Sequence, residues 1–155
     1  FGMEVFRRSS CLDGFNAFVD RAGFKGKRCI EIGTCHGLTA IVLARYFDEV
    51  ITFDITPKPI RHEIAAFCGV TNIRFVDVTS NAEREERLRG VEFDAAYIDG
   101  NHTRETHEDF ALVGHCGQVM FHEYWPLQPA VWQLVNDLRE RGAVVSHGTY
   151  AIWRS

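Results

Sequence analysis

The stretch KRCIEIGTCHGLT, residues 27–39, joins a short apolar run to two glycines and then to the start of a second apolar pattern. The run KRCIEI ends at Gly33, which is typical of a buried strand that stops at a turn. From Leu38 onward the apolar residues recur at Ile41 and Val42, the spacing of one helix face. The stretch therefore predicts a strand, a glycine-containing loop and a helix.

The same alternation repeats along the rest of the chain. Runs of apolar and β-branched residues predict further strands, and stretches with helical spacing lie between them. The predicted strands are residues 50–55, 72–78, 93–98 and 118–121, and the predicted helices are residues 12–22, 57–67, 82–88, 103–116 and 128–141. Two final runs, residues 143–146 and 150–153, lie on either side of Gly148 and predict a β-hairpin.

Strands that alternate with helices require a mostly parallel sheet covered on both faces. We therefore expect an α/β fold, a doubly wound and mostly parallel seven-stranded sheet with a C-terminal antiparallel hairpin strand. The sequence shows neither repeats nor a linker, so residues 3–155 are predicted to form a single domain. Phe1 and Gly2 precede Met3 and are interpreted as a remnant ahead of the natural start.

Composition argues against several classes of protein. The 155 residues are 46% hydrophobic and 25% charged, which is typical of a globular domain. A formal net charge of −4 and the lack of a Lys/Arg run argue against nucleic-acid binding. The sequence has neither a signal peptide nor an apolar run long enough to span a membrane. Its five cysteines form no CxxC pair, so neither a disulfide framework nor a zinc knuckle is predicted, and a cytoplasmic location is expected.

The glycine loop allows two kinds of chemistry. An adjacent cysteine and histidine can indicate a nucleophile or a metal ligand, but neighbours on a turn rarely face one another, so Cys35 and His36 are expected to contribute backbone. Ligands of doubly wound sheets bind at the carboxyl ends of strands. There Gly33 and Gly37 would let the backbone approach a ligand, next to the free N–H groups of a helix. The GxxxG spacing differs from the GxGxxG dinucleotide fingerprint, which argues against NAD.

An acidic residue, Asp54, stands at the end of the next predicted strand. Acids at this position can accept hydrogen bonds from ribose hydroxyls. The alternative is an ordinary strand-end acid that faces water. The glycine loop and the acid together indicate a nucleoside-containing ligand more specifically than either feature alone.

The pattern E-[IL]-G-x-x-x-G-x-[ST] after a first strand, an acid after the second and a closing hairpin resemble class I S-adenosylmethionine-dependent methyltransferases. The resemblance extends over residues 27–154, nearly the whole chain. It implies that S-adenosylmethionine is the cofactor and that Asp54 holds its ribose, with Asp77 or Thr79 beside the adenine. It also implies that five residues line the methionine end of the cofactor: Glu31, Gly33, Thr34, Gly37 and Thr39. Asp99 is a further cofactor-binding residue that the resemblance implies.

Two further strand ends carry polar side chains, in YIDGNH (97–102) and FHEY (121–124). Asp99 and Glu123 could bind a hard divalent cation, and His122 is either a third ligand or points to the other side of its strand. The layout is similar to metal-dependent O-methyltransferases of the catechol, caffeoyl-coenzyme A and macrocin types and to cephalosporin-hydroxylase-like proteins. That similarity implies magnesium at Asp99, His122 and Glu123. The His-Glu pair departs from the Asp-Asn or acidic pairs of those families.

His102 lies three residues after Asp99, and the DGNH stretch resembles the D-G-x-H stretch of macrocin-type enzymes. Catechol-type enzymes carry their general base, a lysine, at the same offset. The resemblance implies that His102 takes the proton from the acceptor hydroxyl, and a histidine titrates in the right range to do so. The alternative is that Asp99 caps a turn and His102 begins a surface helix.

The predicted function is S-adenosylmethionine-dependent O-methylation of a small hydroxylated acceptor, assisted by a divalent ion. Two alternatives remain: a metal-independent methyltransferase acting on another nucleophile, and a non-methylating nucleotide-binding protein or oxidoreductase on a similar sheet. Only one predicted helix precedes the first strand, so a small lid is expected, which implies an open site, a lid from another subunit of a homo-oligomer, or a large acceptor. Neither a nucleic-acid nor a membrane partner is expected.

Overall fold

The computed structural model describes residues 10–155, so the proposed remnant Phe1-Gly2 lies outside the described residues. Within that range seven strands form one sheet in the order β3-β2-β1-β4-β5-β7-β6. The strands are β1 (Gly26–Ile32), β2 (Phe47–Asp54), β3 (Ile73–Asp77), β4 (Ala95–Ile98), β5 (Gln118–Phe121), β6 (Ala143–His147) and β7 (Tyr150–Arg154). The first five are parallel, and β7 runs antiparallel to β5 and β6. The predicted fold class is confirmed.

Helices connect the parallel strands and cover both faces of the sheet. They are α1 (Ser10–Ala22), α2 (Leu38–Leu43), α3 (Ile60–Phe67), α4 (Asn81–Leu88), α5 (Glu105–Val113) and α6 (Pro129–Leu138). The predicted helix 103–116 is shorter than expected, because the chain tightens into a 3-10 turn at Gly114–Cys116. No helix in the described part of the chain is both long and apolar enough to cross a membrane.

Strand β2 begins at Phe47, three residues before the predicted start. The sequence did not indicate this start, because two adjacent charged residues, Asp48 and Glu49, interrupt the apolar pattern. Glu49 lies opposite Arg28 of β1 in the parallel register, and its carboxylate accepts a hydrogen bond of 2.6 Å from the Arg28 guanidinium. A cross-strand ion pair therefore satisfies the charges where the strand emerges from the core.

Alternating side chains of the central strands build two separate cores. In β4, Tyr97 packs under α1 and α2, whereas Ala96 and Ile98 pack under α4, α5 and α6. The first core includes Phe15 and Phe18 of α1, and both are almost fully buried. Because both faces are covered, the free edge of the sheet at the carboxyl ends of its strands is left to form a site.

Backbone hydrogen bonds continue past the ends of three central strands and align the loops that follow them. The Asp99 N–H donates to the Ile32 carbonyl (2.8 Å), and the His122 N–H donates to the Ile98 carbonyl (3.1 Å). The Gly33 N–H donates to the Phe53 carbonyl (2.9 Å). The residues after β1, β4 and β5 therefore stand side by side at one edge.

A buried acid ties this edge together. Glu31 is fully buried, and its two carboxyl oxygens accept hydrogen bonds of 2.5 Å from the hydroxyls of Thr39 and Thr52. The Thr52 hydroxyl also lies 2.5 Å from that of Thr34. Burial raises the pKa of Glu31 to about 8, although the two hydroxyls oppose the shift. A largely protonated carboxyl at neutral pH thus links β1, β2, the glycine loop and α2.

We predict that the Glu31 carboxyl makes stability depend on pH. The folded carboxyl keeps its proton up to about pH 8, whereas the unfolded carboxyl loses it near the ordinary value of 4.5. The folded state therefore binds more protons between these limits, and raising the pH through them destabilises it. Relative to Glu31→Gln, the wild-type free energy of unfolding should fall by a few kcal/mol across this window, at about 1.4 kcal/mol per unit of pKa shift.

Urea denaturation of both proteins at several pH values measures this difference. Glu86→Gln, on the exposed face of α4, is the matched control and should follow the wild type. Parallel curves for the wild type and Glu31→Gln would contradict the prediction.

Candidate active site

The loops after β1 and β4 touch at Gly33. This residue has φ of +97°, and a Cβ built on it would lie 2.8 Å from the Gly100 nitrogen and closer still to the Asp99 carbonyl oxygen. Residues other than glycine would push the two loops apart. Glycine is therefore required at position 33 because the loops after β1 and β4 pack against each other there.

Gly37 also has a positive φ, +77°, and it begins α2. A Cβ there would lie 3.2 Å from atoms of Arg61 and Phe75. The space beside Gly37 is thus filled by side chains of α3 and β3. This differs from the sequence interpretation, in which the space belonged to a ligand.

Cys35 contributes both its backbone and its side chain to the loop. Its N–H donates to Asp54 (2.6 Å), which is the backbone role expected for it. Its sulfur, however, lies 3.1 Å from Nδ1 of His36, so the expectation that these neighbours do not face one another was wrong. The backbone at Cys35 is left-handed, with φ of +48°.

Asp54 is nearly buried, with 9% of its surface exposed, which argues against the alternative of an ordinary strand-end acid that faces water. Its carboxylate accepts the Cys35 N–H, the Thr56 N–H (2.7 Å) and the Thr56 hydroxyl (3.3 Å). A carboxylate has roughly four acceptor positions. Asp54 thus joins the loops after β1 and β2 and keeps some capacity for a ligand hydroxyl.

A cavity of about 260 Å³ opens beside Asp54, and we call it the Asp54 cavity. Its lining includes Gly33, Thr56, Asn81, Arg84, Asp99 and Asp109. Arg84 forms an ion pair with Asp109 and donates to the Asn81 side chain (3.1 Å). Burial raises the pKa of Asp109 to about 6, and the Arg84 charge opposes that shift.

Sequence reasoning missed Arg84 and Asp109. Helix α4 is rich in charged residues, which usually face solvent, yet Arg84 is only 6% exposed. One signal could have revealed it: Arg84 lies four residues before the buried Leu88 and so shares its helix face. A charge on the apolar face of a helix needs a buried partner, and Asp109 of α5 provides one.

A second cavity, of about 380 Å³, lies on the other side of the Gly33 loop, and we call it the His102 cavity. It is lined by residues that include Thr34, Thr39, Tyr97, Asp99, His102, His122 and Tyr150. Both cavities share Gly33, Cys35 and Asp99. Asp99 is therefore the acid that the two cavities have in common among the described residues, and it lies where they meet.

Two imidazoles converge on Asp99. Its Oδ1 lies 2.7 Å from Nδ1 of His122 and 3.3 Å from Nε2 of His102, and its Oδ2 accepts the Tyr97 hydroxyl (3.0 Å). Burial disfavours the Asp99 carboxylate, but the two histidines outweigh burial and lower its pKa. Burial likewise works to lower the pKa of His122, but Asp99 outweighs it, so that pKa is raised. The His122 ring is stacked on Tyr150, with centroids 5.0 Å apart.

Glu123 points elsewhere. Its carboxylate accepts a 2.5 Å hydrogen bond from the Trp125 indole, and its nearer oxygen lies 3.7 Å from Nε2 of His122. Its backbone is left-handed, with φ of +58°. The group whose ligand atoms lie within 4.8 Å of one another consists of Asp99, His102 and His122. The structure thus places the expected base, His102, beside two expected metal ligands, Asp99 and His122, and leaves Glu123 outside the group.

Three other expected cofactor residues line neither cavity. Glu31, Asp77 and Thr79 are absent from the described lining of both. The Asp77 carboxylate is paired with the buried Arg61, and the Thr79 hydroxyl donates to Glu83 (2.9 Å). Their assignment to the cofactor stays a prediction, whereas Thr34 and Thr39 do line the His102 cavity.

Comparison with known proteins identifies the fold. No protein-family model matches the chain, and no curated protein matches it in sequence. Among solved structures, the O-methyltransferase from Bacillus cereus in complex with S-adenosylhomocysteine is 12% identical with a TM-score of 0.71, and the match covers 95% of this chain and 81% of that one. The O-methyltransferase TomG from Streptomyces achromogenes, in complex with S-adenosylmethionine, is 17% identical with a TM-score of 0.70 and coverage of 92% and 80%.

A third similar structure is the ribosomal protein L11 methylase from Lactobacillus delbrueckii subsp. bulgaricus. It is 25% identical, with a TM-score of 0.60, and the match covers 91% of this chain and 77% of that one. All three named proteins are methylases, and their similarity to this chain extends over almost the whole sheet and its helices. The chain therefore has the fold of class I S-adenosylmethionine-dependent methyltransferases, as its glycine-loop pattern indicated.

Proposed function

We propose that the chain transfers a methyl group from S-adenosylmethionine to a hydroxyl oxygen of a small acceptor. The observation that carries this proposal is the pair of cavities that meet at Gly33, Cys35 and Asp99. A methyltransferase must bring two substrates together at one point, and the paired cavities offer two compartments with a common boundary. Similarity to structures that hold S-adenosylmethionine or S-adenosylhomocysteine supports the choice of cofactor.

The residues around the Asp54 cavity fit the nucleoside part of this cofactor. Asp54 is a nearly buried carboxylate with acceptor capacity to spare, which suits vicinal ribose hydroxyls. Asn81 and Asp109 add oxygens farther along the same cavity. Thr34 and Thr39 line the other cavity and suit the methionine end. Glu31 and Gly37 then act indirectly, by shaping the loop that carries these groups.

The His102 cavity fits the acceptor. When bound, S-adenosylmethionine supplies an activated methyl group that passes to the acceptor oxygen as the carbon–sulfur bond breaks. His102 takes the proton that the hydroxyl loses, and a histidine is suited to this near neutral pH. Asp99, 3.3 Å from Nε2 of His102, orients the ring and stabilises the imidazolium that forms.

The expected magnesium ion does not fit this arrangement. Magnesium prefers oxygen ligands in near-octahedral geometry. The group at Asp99 contains one carboxylate and two imidazoles, and the second expected carboxylate, Glu123, is hydrogen-bonded to Trp125. The reaction above is therefore derived without magnesium, and metal assistance here would require an ion that accepts nitrogen ligands.

The size of the His102 cavity, part of which the methionine end of the cofactor would occupy, supports a small acceptor. Its volume of about 380 Å³ falls within the roughly 300–1,000 Å³ of small-molecule sites. The fold by itself does not choose the acceptor, since similar structures include the L11 methylase and an rRNA methylase from Streptococcus thermophilus. A small acceptor is favoured over a large one because the reacting point lies between the loops after β1 and β4.

Cofactor binding can be tested directly. S-adenosylmethionine and S-adenosylhomocysteine should each raise the melting temperature, because ligand bound to the folded state stabilises it by about 2.7 kcal/mol at 100 times Kd. NAD should leave the melting temperature unchanged in the same thermal-shift assay. Stabilisation by NAD but not by S-adenosylhomocysteine would favour the oxidoreductase alternative.

Two matched substitutions test which strand-end acid holds the cofactor. Asp54→Asn should weaken S-adenosylhomocysteine binding roughly 10- to 150-fold, the scale of hydrogen bonds to a charged group. Asp77, at the position paired with Asp54 in the neighbouring strand, lines neither cavity, so Asp77→Asn should weaken binding much less than Asp54→Asn does. Isothermal titration calorimetry measures both. The reverse order of effects would place the nucleoside beside Asp77 instead.

Removal of the proposed base should slow the chemistry and spare the cofactor. We expect His102→Ala to lower turnover by roughly 10²–10⁴-fold, with S-adenosylhomocysteine affinity nearly unchanged. The assay measures S-adenosylhomocysteine release with a panel of catechol- and sugar-type hydroxyl acceptors. His107→Ala, on the exposed side of α5, controls for the loss of a histidine. Equal turnover of both variants would exclude His102 as the base.

A further inference from the structure

We propose that Asp99, His102 and His122 bind one divalent transition-metal ion that prefers nitrogen ligands, with zinc as the representative ion. Two imidazoles and one carboxylate form a ligand set that zinc and non-haem iron use in catalytic sites. The three side chains come from the ends of β4 and β5 and from the loop after β4. The magnesium group expected from the sequence would have used Glu123 and left His102 out.

The distances between the ligand atoms suit a shared ion. Ligand atoms bound about 2.1 Å from an ion at octahedral or tetrahedral angles lie about 3.0–3.4 Å apart. Nε2 of His102 is 3.3 Å from Oδ1 of Asp99, and Nδ1 of His122 is 2.7 Å from the same oxygen. All three atoms lie within 4.8 Å of one another. Shifts of a few tenths of an ångström would bring them around one centre.

Outer contacts hold two of the ligands in place, as they do in established metal sites. The free oxygen of Asp99, Oδ2, accepts the hydroxyl of Tyr97 at 3.0 Å. The remote nitrogen of His122, Nε2, faces the Glu123 carboxylate at 3.7 Å, and the His122 ring is stacked on Tyr150. Glu123 then has a role that does not require it to touch the ion, because a carboxylate behind an imidazole increases its basicity.

The site is open on one side. The three side chains are 20–24% exposed and line the His102 cavity. Three protein ligands plus an accessible position are typical of a catalytic metal site, whereas a structural zinc site is closed by four. A simple hydrogen-bonded Asp–His pair would explain one of the two imidazoles but gives no reason for the second to point at the same oxygen.

Metal binding would change what His102 can do. A neutral imidazole that binds an ion through Nε2 carries its proton on Nδ1, so neither ring nitrogen can then accept a proton. The base role therefore belongs to the metal-free protein. The role of this metal site in catalysis rests on the proposed function. Metal binding itself is tested with the metal alone, without cofactor or acceptor. Either proposal can fail while the other stands.

The experiment titrates the chelator-treated full chain with ZnCl₂, CoCl₂ and MgCl₂ by calorimetry. We expect one zinc or cobalt ion per chain and magnesium binding at least about 100-fold weaker, as expected for nitrogen ligands. Cobalt should also produce a visible absorption band that reports the coordination. A parallel anaerobic titration with Fe²⁺ distinguishes iron from zinc as the preferred ion. Magnesium binding as tight as zinc binding would overturn the proposal.

Four variants locate the ion. His102→Ala and His122→Ala should each weaken zinc binding by more than about 10-fold and abolish the cobalt band, with circular dichroism reporting the fold. His102→Ala alone keeps the test decisive if His122→Ala does not fold, since His102 lies on a loop. Glu123→Gln should weaken binding less than either, because Glu123 is not a ligand. Cys35→Ser, which alters the neighbouring thiol–imidazole pair in the same cavity, should bind zinc like the wild type. Zinc binding that survives both histidine substitutions, or is lost in Cys35→Ser, would overturn the assignment.

Discussion

The contact between Gly33 and the peptide of Asp99 is the constraint on which the site depends. The Asp99 carbonyl oxygen and the Gly100 nitrogen occupy the space that a side chain at position 33 would need. This contact holds the loops after β1 and β4 together and makes Gly33 and Asp99 common to both cavities. Asp99 is consequently fixed at the boundary, where the two substrates of a transfer reaction would meet.

Acids at neighbouring strand ends serve different purposes because their surroundings differ. Burial raises the pKa of Glu31 to about 8, so at neutral pH it acts as a hydrogen-bonded link between strands and loop. Asp99 is also largely buried, but two imidazoles and the Tyr97 hydroxyl reverse that effect and keep it ionised. Environment therefore separates a structural carboxyl from a charged one within one small site.

The fold was predictable because it follows from patterns within the sequence. Alternation of strand-like and helix-like runs implied a doubly wound sheet, and Gly148 between two apolar runs implied the hairpin. Local charges limited the strand and helix bounds: Asp48 and Glu49 masked the start of β2, which becomes clear only when Arg28 is seen on the neighbouring strand. The apolar pattern carries no information about contacts between segments that are distant in the sequence.

The candidate site was predictable only in part, for the same reason. The loop positions of Asp99, His102 and His122 follow from strand ends, so their proximity could be expected from the topology. The direction of Glu123 could not, because it depends on a left-handed residue and on the Trp125 indole. Arg84 was missed because its partner, Asp109, lies 25 residues away on another helix.

The two departures at the end of β5 have one chemical consequence. A histidine stands at position 122, where the O-methyltransferases that the sequence resembles place an aspartate or another acid, and Glu123, which follows it, turns toward an indole. His122 places a nitrogen near Asp99 instead of an oxygen, and the turn of Glu123 removes a second oxygen from the group. The DGNH loop then brings a second imidazole to the same carboxylate. Since hard ions favour oxygen and softer ions favour nitrogen, these differences make the group at Asp99 less suited to magnesium and support the proposed zinc or iron site.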